Sequence, residues 1–252
     1  MCHEPDSLPP IPALAGAAVT HEQVVLEAAD GNRFAAFSAA PEQPTRVGVV
    51  ILPDVRGLYR FYEELALRFS ERGYAAVAID YFGRTAGVAT RDDEFPYMEH
   101  VGQTTPEGIQ RDVAAAVAYL RSPAGGERAS IFTVGFCFGG RHSWLASASG
   151  HDLAGAIGFY GGPGERGGQP GPTARAAEMR APILAIQAGA DAHITAEDNA
   201  AFERALAAAG VEHELITVPD APHSFFDRHH AEFQAASDDA WRRVLDFIDR
   251  HS

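Results

Sequence analysis

The sequence predicts an α/β fold with a mostly parallel, doubly wound sheet of about eight strands and helices packed on both faces. Three observations lead to this prediction. Short, continuous apolar runs such as residues 47–52 and 75–79 are typical of strands that are buried on both faces. These runs alternate along the chain with segments of helical periodicity, which is the pattern of repeated strand–helix units. One apolar run also passes into a helix-compatible segment through a glycine-rich turn at residues 135–140.

The first part of the chain differs from the rest because it predicts a hairpin. Residues 1–20 are rich in Pro and Ala, and we expect an irregular surface arm there, ahead of one domain that spans residues 21–252. Residues 23–28 and 33–37 each have the pattern of a strand, and the turn signal Asp30-Gly31-Asn32 joins them.

The later elements follow the strand–helix alternation. The predicted strands are residues 47–52, 75–79, 130–134, 154–160, 182–187 and 213–218. The predicted helices are residues 61–72, 107–120, 141–149, 195–209 and 229–251. Residues 85–105 are long for a connection, so we interpret them as a lid or a segment that lines the site. Residues 161–172 are dense in Gly and Pro but lack the lysine and helix start of a phosphate loop, so a plain loop is expected.

Composition excludes several classes of function. The net charge of −14 argues against nucleic acid and anionic membrane surfaces as partners. All 20 basic residues are arginine, which excludes the Schiff-base, pyridoxal phosphate and phosphate-loop chemistry that requires lysine. The chain begins without the features of a signal peptide and has no apolar run as long as a membrane span.

The two cysteines, Cys2 and Cys137, do not form the framework of a disulfide-rich domain, so the expected compartment is a reducing cytoplasm. Cys2 and His3 have no second ligand pair at metal-binding spacing, and no metal site is predicted.

The glycine-rich turn has the form Gly-x-Cys-x-Gly, with Cys137 between Gly135 and Gly139. A strand that enters a helix through such a turn is a nucleophile elbow, in which both glycines avoid steric collisions. The helix N-terminus stabilises an anion, so a thiolate can form there and attack a carbonyl carbon. The alternative is a buried, inert core thiol between Phe136 and Phe138.

Two further polar residues follow predicted strands as Cys137 does. Asp191 and His223 come after the strands at 182–187 and 213–218, and carboxyl ends of parallel strands meet at one edge of a sheet. The order nucleophile, acid, histidine is that of α/β-hydrolases. In this hypothesis the thiol attacks, the histidine is the base, and the aspartate orients the imidazole and stabilises its charge.

Some assignments stay open at this point. Asp198 or Asp220 could serve as the acid, and His193 could replace the histidine that follows the final strand. Backbone N–H groups of Phe138 and Val55 are the candidate oxyanion hole, because one follows the nucleophile and the other lies in the loop after an earlier strand.

From about residue 20 onward the chain resembles the dienelactone hydrolase (carboxymethylenebutenolidase) family. The motifs that carry the resemblance are Gly135-Phe136-Cys137-Phe138-Gly139-Gly140, Gly189-Ala190-Asp191, His223-Ser224-Phe225 and the segment at residues 72–84. The resemblance implies an α/β-hydrolase fold and cofactor-free hydrolysis of an enol-lactone to an unsaturated keto acid, by a cysteine where most α/β-hydrolases use serine.

The resemblance also implies roles for residues around the thiol. Arg84 resembles an arginine that binds the substrate carboxylate, although a surface ion pair is its alternative. Asp54 stands where the family has a glutamate that accepts a hydrogen bond from the thiol, and aspartate is one methylene shorter. Asp227, with Arg228 next to it, occupies the place of a second carboxylate-binding arginine. We expect Asp227 to repel a carboxylate substrate, which favours neutral esters or other lactones.

These observations predict a thiol hydrolase of a small ester or lactone, with a thioester intermediate and without cofactor. Tyr97 and His100, in the segment at residues 85–105, are further candidates for substrate binding. The alternatives are an acyltransferase or thioesterase on the same scaffold, and a non-catalytic redox sensor in which the thiol is only oxidised. The expected partner is a small molecule, and the sequence does not predict an oligomeric state.

Overall fold

The computed structural model describes residues 7–89, 91–227 and 229–252. Cys2, His3 and Arg228 therefore lie outside the described residues. Within these ranges the strands are β1 (Val19–Glu27), β2 (Arg33–Pro41), β3 (Val47–Leu52), β4 (Ala75–Ile79), β5 (Ser130–Phe136), β6 (Gly155–Phe159), β7 (Ile183–Ala188) and β8 (His213–Val218).

These strands form one sheet in the order β1-β2-β4-β3-β5-β6-β7-β8. β2 pairs antiparallel with both β1 and β4, and every other neighbouring pair of strands is parallel. The mostly parallel sheet is thus confirmed, with the antiparallel pairs at the hairpin edge. Gly31 has φ 82° at the tip of this hairpin, a conformation that suits glycine.

Helices cover both faces of the sheet. They are α1 (Arg60–Glu71), α2 (Gly83–Ala86), α3 (Tyr97–Val101), α4 (Pro106–Arg121), α5 (Phe138–Ser147), α6 (Ala196–Ala209) and α7 (Gln234–His251), with a 3₁₀ turn at Ala176–Glu178. α1 and α7 pack on one face, where Leu65 and Phe247 join the core with Val49 of β3. α4 packs on the opposite face, where Val113 contacts the cluster around Val50 of the same strand.

The central strands read as continuous apolar runs because both of their faces are covered. Every residue of β3, β4, β6 and β7 is buried. Thr195 caps α6 by accepting the Asp198 N–H, and Gly210 ends that helix with φ 69°. Within the described part of the chain, no helix combines the length and the apolar content that a membrane crossing requires.

Three expectations differ from the structure. The segment at residues 85–105, for which no helix was predicted, contains the short helix α3. The last helix begins at Gln234 rather than at residue 229, because the preceding residues form turns that bury Phe225 and Phe226. The described part of the arm, residues 7–20, is anchored rather than superficial: β1 already starts at Val19, and Ile11 is packed in the core.

Candidate active site

Cys137 lies at the tip of a strained turn between β5 and α5. Its φ of 54° and ψ of −111° fall in a sparsely populated region for a residue with a side chain. A Cβ on Gly135 would lie 2.0 Å from the Gly139 carbonyl oxygen, and one on Gly139 would lie 2.0 Å from the Leu52 carbonyl oxygen. The Cys137 N–H donates to the Phe159 carbonyl oxygen at 3.0 Å. Close packing of the helix on β3 and β5 therefore requires both glycines and holds the thiol residue at the helix N-terminus.

His223 and Asp191 form a hydrogen-bonded pair at the same edge of the sheet. The His223 Nδ1 atom and the Asp191 Oδ2 atom are 2.6 Å apart. The Asp191 side chain is only 1% exposed and that of His223 is 27% exposed. Because a carboxylate can only accept, Nδ1 carries the proton, and Nε2 is the nitrogen that can take up another.

The environment keeps Asp191 ionised. Burial by itself raises the pKa of this carboxyl, but the hydrogen bond from His223 and the backbone N–H groups of His193 and Ile194 outweigh it, so the pKa is lowered. The two backbone groups donate to Oδ1 at 2.8 and 3.2 Å. All these contacts favour the charged form, which is the form that orients and stabilises an imidazolium.

The alternative acids and the alternative histidine are placed differently. Asp198 accepts from the backbone N–H and the hydroxyl of Thr195 in the cap of α6. Asp220 is exposed and has a positive φ of 57°. His193 is exposed and contributes its backbone N–H to the acid. The carboxylate of Asp191, by contrast, is hydrogen-bonded to His223 at 2.6 Å.

Four of the predicted site residues line a cavity of about 410 Å³. Cys137 and His223 both line it, and so do Phe138 and Val55, whose backbone N–H groups are the predicted oxyanion hole. The volume falls in the range of small-molecule sites. No group of three His, Cys, Asp or Glu side chains that could hold a metal ion is found among the described residues.

Asp54 is fully buried, two residues after the end of β3 and next to Val55, which lines the cavity. Its Oδ1 atom accepts the Arg56 backbone N–H at 2.8 Å, and its own N–H donates to the Tyr62 hydroxyl at 3.0 Å. These bonds shape the loop that presents Val55. Burial, followed by the charges of Asp54 and of other neighbours, raises the pKa of Tyr81 well above its usual range. The predicted hydrogen bond between Asp54 and the thiol stays a prediction.

Arg84 is engaged in ion pairs elsewhere. Its guanidinium lies 2.5 Å from Asp30 Oδ2 and 2.8 Å from Asp112 Oδ1. The hydrogen bond from Arg84 is the main reason why the pKa of Asp30 falls to about 2, whereas burial raises the pKa of Asp112 to about 6. The ion-pair alternative therefore matches this geometry, and Arg84 is not among the described residues that line the cavity.

Tyr97 and His100 also lie outside that lining. Tyr97 packs partly buried against the apolar cluster that includes α4. His100 stacks on Phe95, with ring centroids 4.8 Å apart. Both side chains are engaged in packing contacts and neither lines the cavity. The geometry therefore does not support their predicted role in substrate binding.

Asp227 does not face the cavity, which corrects the expectation that it repels a carboxylate substrate. It is fully buried, and Tyr160 Oη donates to its Oδ2 atom at 2.6 Å. Tyr160 instead lines the cavity, with its ring centroid 4.9 Å from that of His223. Its φ of 35° is unusual for a residue other than glycine.

Sequence reasoning missed Tyr160 and two arginines, Arg141 and Arg166, that also line the cavity. Arg141 had one available signal, since it stands four residues after Cys137 and so shares its side of the helix. Arg166 precedes a Gly-Gly pair, which is a hairpin signal inside the segment that was expected to be a plain loop.

Comparison with known proteins agrees with the fold. The model of the family described as "Dienelactone hydrolase family" matches residues 34–252. A carboxymethylenebutenolidase from Rhodococcus opacus is 27% identical over 260 residues, which cover 100% of this chain and 97% of the relative.

Two solved structures share the architecture. A dienelactone hydrolase-like promiscuous phosphotriesterase from metagenomic libraries has a TM-score of 0.78 and 22% identity, covering 94% of this chain and 99% of its own. An esterase from Pyrococcus furiosus has a TM-score of 0.67 and 15% identity, covering 95% and 98% of the two chains. At these identities the two structures show the common α/β-hydrolase fold. Because the family model spans most of the sequence, the chain belongs to the dienelactone hydrolase family.

Proposed function

We propose that the protein is a cysteine hydrolase that cleaves a small ester or lactone, with Cys137 as nucleophile, His223 as base and Asp191 as the orienting acid. The observation that carries this proposal is the 2.6 Å hydrogen bond between His223 and Asp191 in a protein where His223 and Cys137 line one cavity. Membership of the family supports the same reaction class, because its named relatives include a carboxymethylenebutenolidase.

The reaction begins with transfer of the thiol proton of Cys137 to Nε2 of His223. The thiolate attacks the carbonyl carbon of the substrate and forms a tetrahedral oxyanion, which the N–H groups of Phe138 and Val55 stabilise. Collapse of the intermediate breaks the bond to the leaving oxygen and leaves a thioester on Cys137. The leaving alkoxide or enolate takes the proton from the imidazolium.

Water completes the cycle. His223 removes a proton from a water molecule, the hydroxide attacks the thioester carbonyl, and the second tetrahedral intermediate expels the thiolate, which is reprotonated. Asp191 stabilises the imidazolium in both halves. The steps use side chains, backbone groups and water, so the proposal includes no metal or cofactor.

The cavity favours a small, partly apolar substrate. Its lining includes Val55, Phe138, Tyr160 and Ile194, and its volume of about 410 Å³ is near the lower end of the range for drug-sized ligands. The net charge of −14 is the reason to expect neither nucleic acid nor membrane as a partner. A thiol nucleophile works in a reducing compartment, and we keep the cytoplasm as the proposed location.

The test compares wild type with Cys137→Ala on a dienelactone and on a neutral aryl acetate. Wild type is expected to turn over at least one of them and to accumulate an acyl group on Cys137 that mass spectrometry detects. Cys137→Ala is expected to lose this turnover, while Cys2→Ala, which removes the other thiol, serves as the matched control.

Turnover by Cys137→Ala within about tenfold of wild type would contradict a thiol mechanism, since loss of a nucleophile costs several powers of ten. Transfer of the acyl group to an added alcohol in preference to water would favour the acyltransferase alternative. Reaction of Cys137 with peroxide in a protein that turns over neither ester would favour the redox alternative.

A further inference from the structure

The loop at residues 161–172, here called the flap, forms one wall of the cavity. Arg166 and Gln169 bond to each other's backbones, with N–H to carbonyl oxygen distances of 3.1 and 3.0 Å. Gly167 and Gly168 between them have φ values of 58° and 75°. Two positive φ values in a two-residue turn identify a tight hairpin, so the flap presents Arg166 at a defined place.

A buried guanidinium attaches the flap to the helix that carries the nucleophile. Arg141, in the first turn of α5, is 5% exposed. It donates to the carbonyl oxygens of Gly162 at 2.9 Å and of Gln169 and Pro170 at 3.3 Å each, and also to that of Gly164. The flap is thereby held next to Cys137.

Arg141 of α5 and Arg166 of the flap bring two positive charges to the cavity. Arg141 and Arg166 both line the cavity with Cys137, and neither forms an ion pair within the described ranges. Burial, and then the nearby charge of Arg166, lowers the pKa of Arg141. The two guanidinium groups are thus close enough to repel each other.

The two acids in the lining, Glu165 and Asp198, form no ion pair with either arginine within the described ranges. Asp198 is held by Thr195 in the cap of α6. Glu165, the residue before Arg166, is exposed, as Arg166 itself is, and it forms no ion pair with any arginine among the described residues. By contrast, Arg84 outside the cavity has two carboxylate partners. Two guanidinium groups that are not held in ion pairs and line one cavity with a nucleophile are suited to an anion, because planar oxyanions accept charge-assisted hydrogen bonds from such groups.

We infer that Arg166, supported by Arg141, forms a subsite for an oxyanion group of the substrate, either a carboxylate or a phosphate. This inference rests on the proposed function and adds to it the charge of the substrate. It also places anion recognition at the flap between β6 and β7. The resemblance had suggested Arg84 for this role.

The first experiment does not depend on turnover. Iodoacetate and iodoacetamide alkylate thiols and differ in charge but little in size. We expect the ratio of their rates at Cys137 to fall about tenfold in Arg166→Gln, since one charge-assisted hydrogen bond is worth at least that factor. Arg166→Lys is expected to restore part of the ratio. Arg46→Gln is the matched control. Arg46 is an exposed arginine just before the amino end of β3, whereas the cavity lies at the carboxyl ends of the parallel strands.

An unchanged ratio in Arg166→Gln overturns the subsite, and so does an equal fall in Arg46→Gln, which would indicate an effect of net charge alone. Inorganic phosphate and glutarate, added as protectants, distinguish the two oxyanions. The stronger protectant of wild type is expected to lose its effect in Arg166→Gln, and protection by neither overturns the inference.

The second experiment uses an aryl ester of adipic acid with its other carboxyl free, and the same ester with that carboxyl methylated. Wild type is expected to prefer the anionic ester in kcat/KM, and Arg166→Gln is expected to lower this preference about tenfold. Hydrolysis of both esters with no preference overturns the subsite and leaves the proposed function standing. Hydrolysis of neither, with alkylation that depends on Arg166, refutes the proposed function and supports the subsite.

Discussion

Replacement of Asp191 by Asn tests the proposed triad at the residue whose contacts are best defined. The carboxylate accepts three hydrogen bonds: from His223 Nδ1 at 2.6 Å, and from the backbone N–H groups of His193 and Ile194 at 2.8 and 3.2 Å. An asparagine has one acceptor oxygen and one NH₂ group, so it cannot satisfy all three donors.

The orientation of the new amide follows from counting these bonds. If its oxygen stays with the two backbone donors, the NH₂ group faces Nδ1, which must then be unprotonated, and Nε2 carries the proton. The reverse orientation places NH₂ against two N–H donors and loses two hydrogen bonds, each worth about 1 kcal/mol. The first orientation therefore dominates, and it gives the tautomer that cannot accept the thiol proton.

We expect kcat for the aryl ester to fall on the order of 10³–10⁴-fold in Asp191→Asn, the range seen when a triad acid is replaced by its amide. At about 1.36 kcal/mol for each factor of ten, this corresponds to about 4–5 kcal/mol of lost transition-state stabilisation. The assay is steady-state hydrolysis between about pH 6 and 9, together with urea unfolding to show that the variant is folded.

Asp220→Asn is the matched control, since it makes the same chemical change three residues before His223. Asp220 is exposed, and asparagine tolerates its positive φ of 57°. A fall of less than about tenfold in Asp191→Asn, or an equal fall in both variants, would refute the reasoning from the tautomer.

Two further predictions concern stability. Gly139→Ala is expected to cost about 3 kcal/mol of unfolding free energy, because the added Cβ would lie 2.0 Å from the Leu52 carbonyl oxygen; urea unfolding measures it. Burial, followed by the charge of Arg121, lowers the pKa of His151 from 6.5 to about 4, so the unfolded chain binds more protons between these values. Stability is therefore lost as the pH falls from about 6.5 to 4, by about 2–3 kcal/mol from this group, and His151→Gln is expected to remove that part of the pH dependence in the unfolding free energy.

Each of these two predictions has a control in the same chain. Gly162→Ala adds a Cβ with no atom within 4 Å, so equal losses at residues 139 and 162 would count against the steric argument. His21→Gln changes an exposed histidine on β1. A pH profile that His21→Gln alters as much as His151→Gln does would show that burial is not the cause.

Local sequence patterns were sufficient for most of the fold. The predicted strands at residues 47–52 and 75–79 coincide with β3 and β4, because apolar runs of this length suit buried strands and little else. The prediction at residues 213–218 coincides with β8, whose residues are only partly buried or exposed. The nucleophile elbow could also be predicted from the sequence. Its two glycines are required because a Cβ at either position would collide with nearby backbone atoms. The start of α7 was misplaced by five residues because packing of Phe225 and Phe226 overrides helix propensity there.

The choice of acid shows where local reasoning ends. Asp191 lies in the loop between β7 and α6, and Asp198 lies in the first turn of α6. The sequence alone left them as alternatives. Only the folded backbone directs one carboxylate to His223 and the other to the cap of α6. A side chain's direction depends on its rotamer and its neighbours, which sequence spacing does not determine.

The sequence by itself determined the sheet, the elbow and the edge at which Cys137, Asp191 and His223 gather, because periodicity and glycine requirements act over a few residues. Tertiary structure decided the charges of the cavity. It placed Arg84 in ion pairs with Asp30 and Asp112 and buried Asp227 in a hydrogen bond with Tyr160. It also placed Arg166, on the hairpin of the flap, in the lining of the cavity that contains Cys137. These outcomes depend on contacts between residues far apart in the chain, so electrostatic partners become visible only when the fold brings them together.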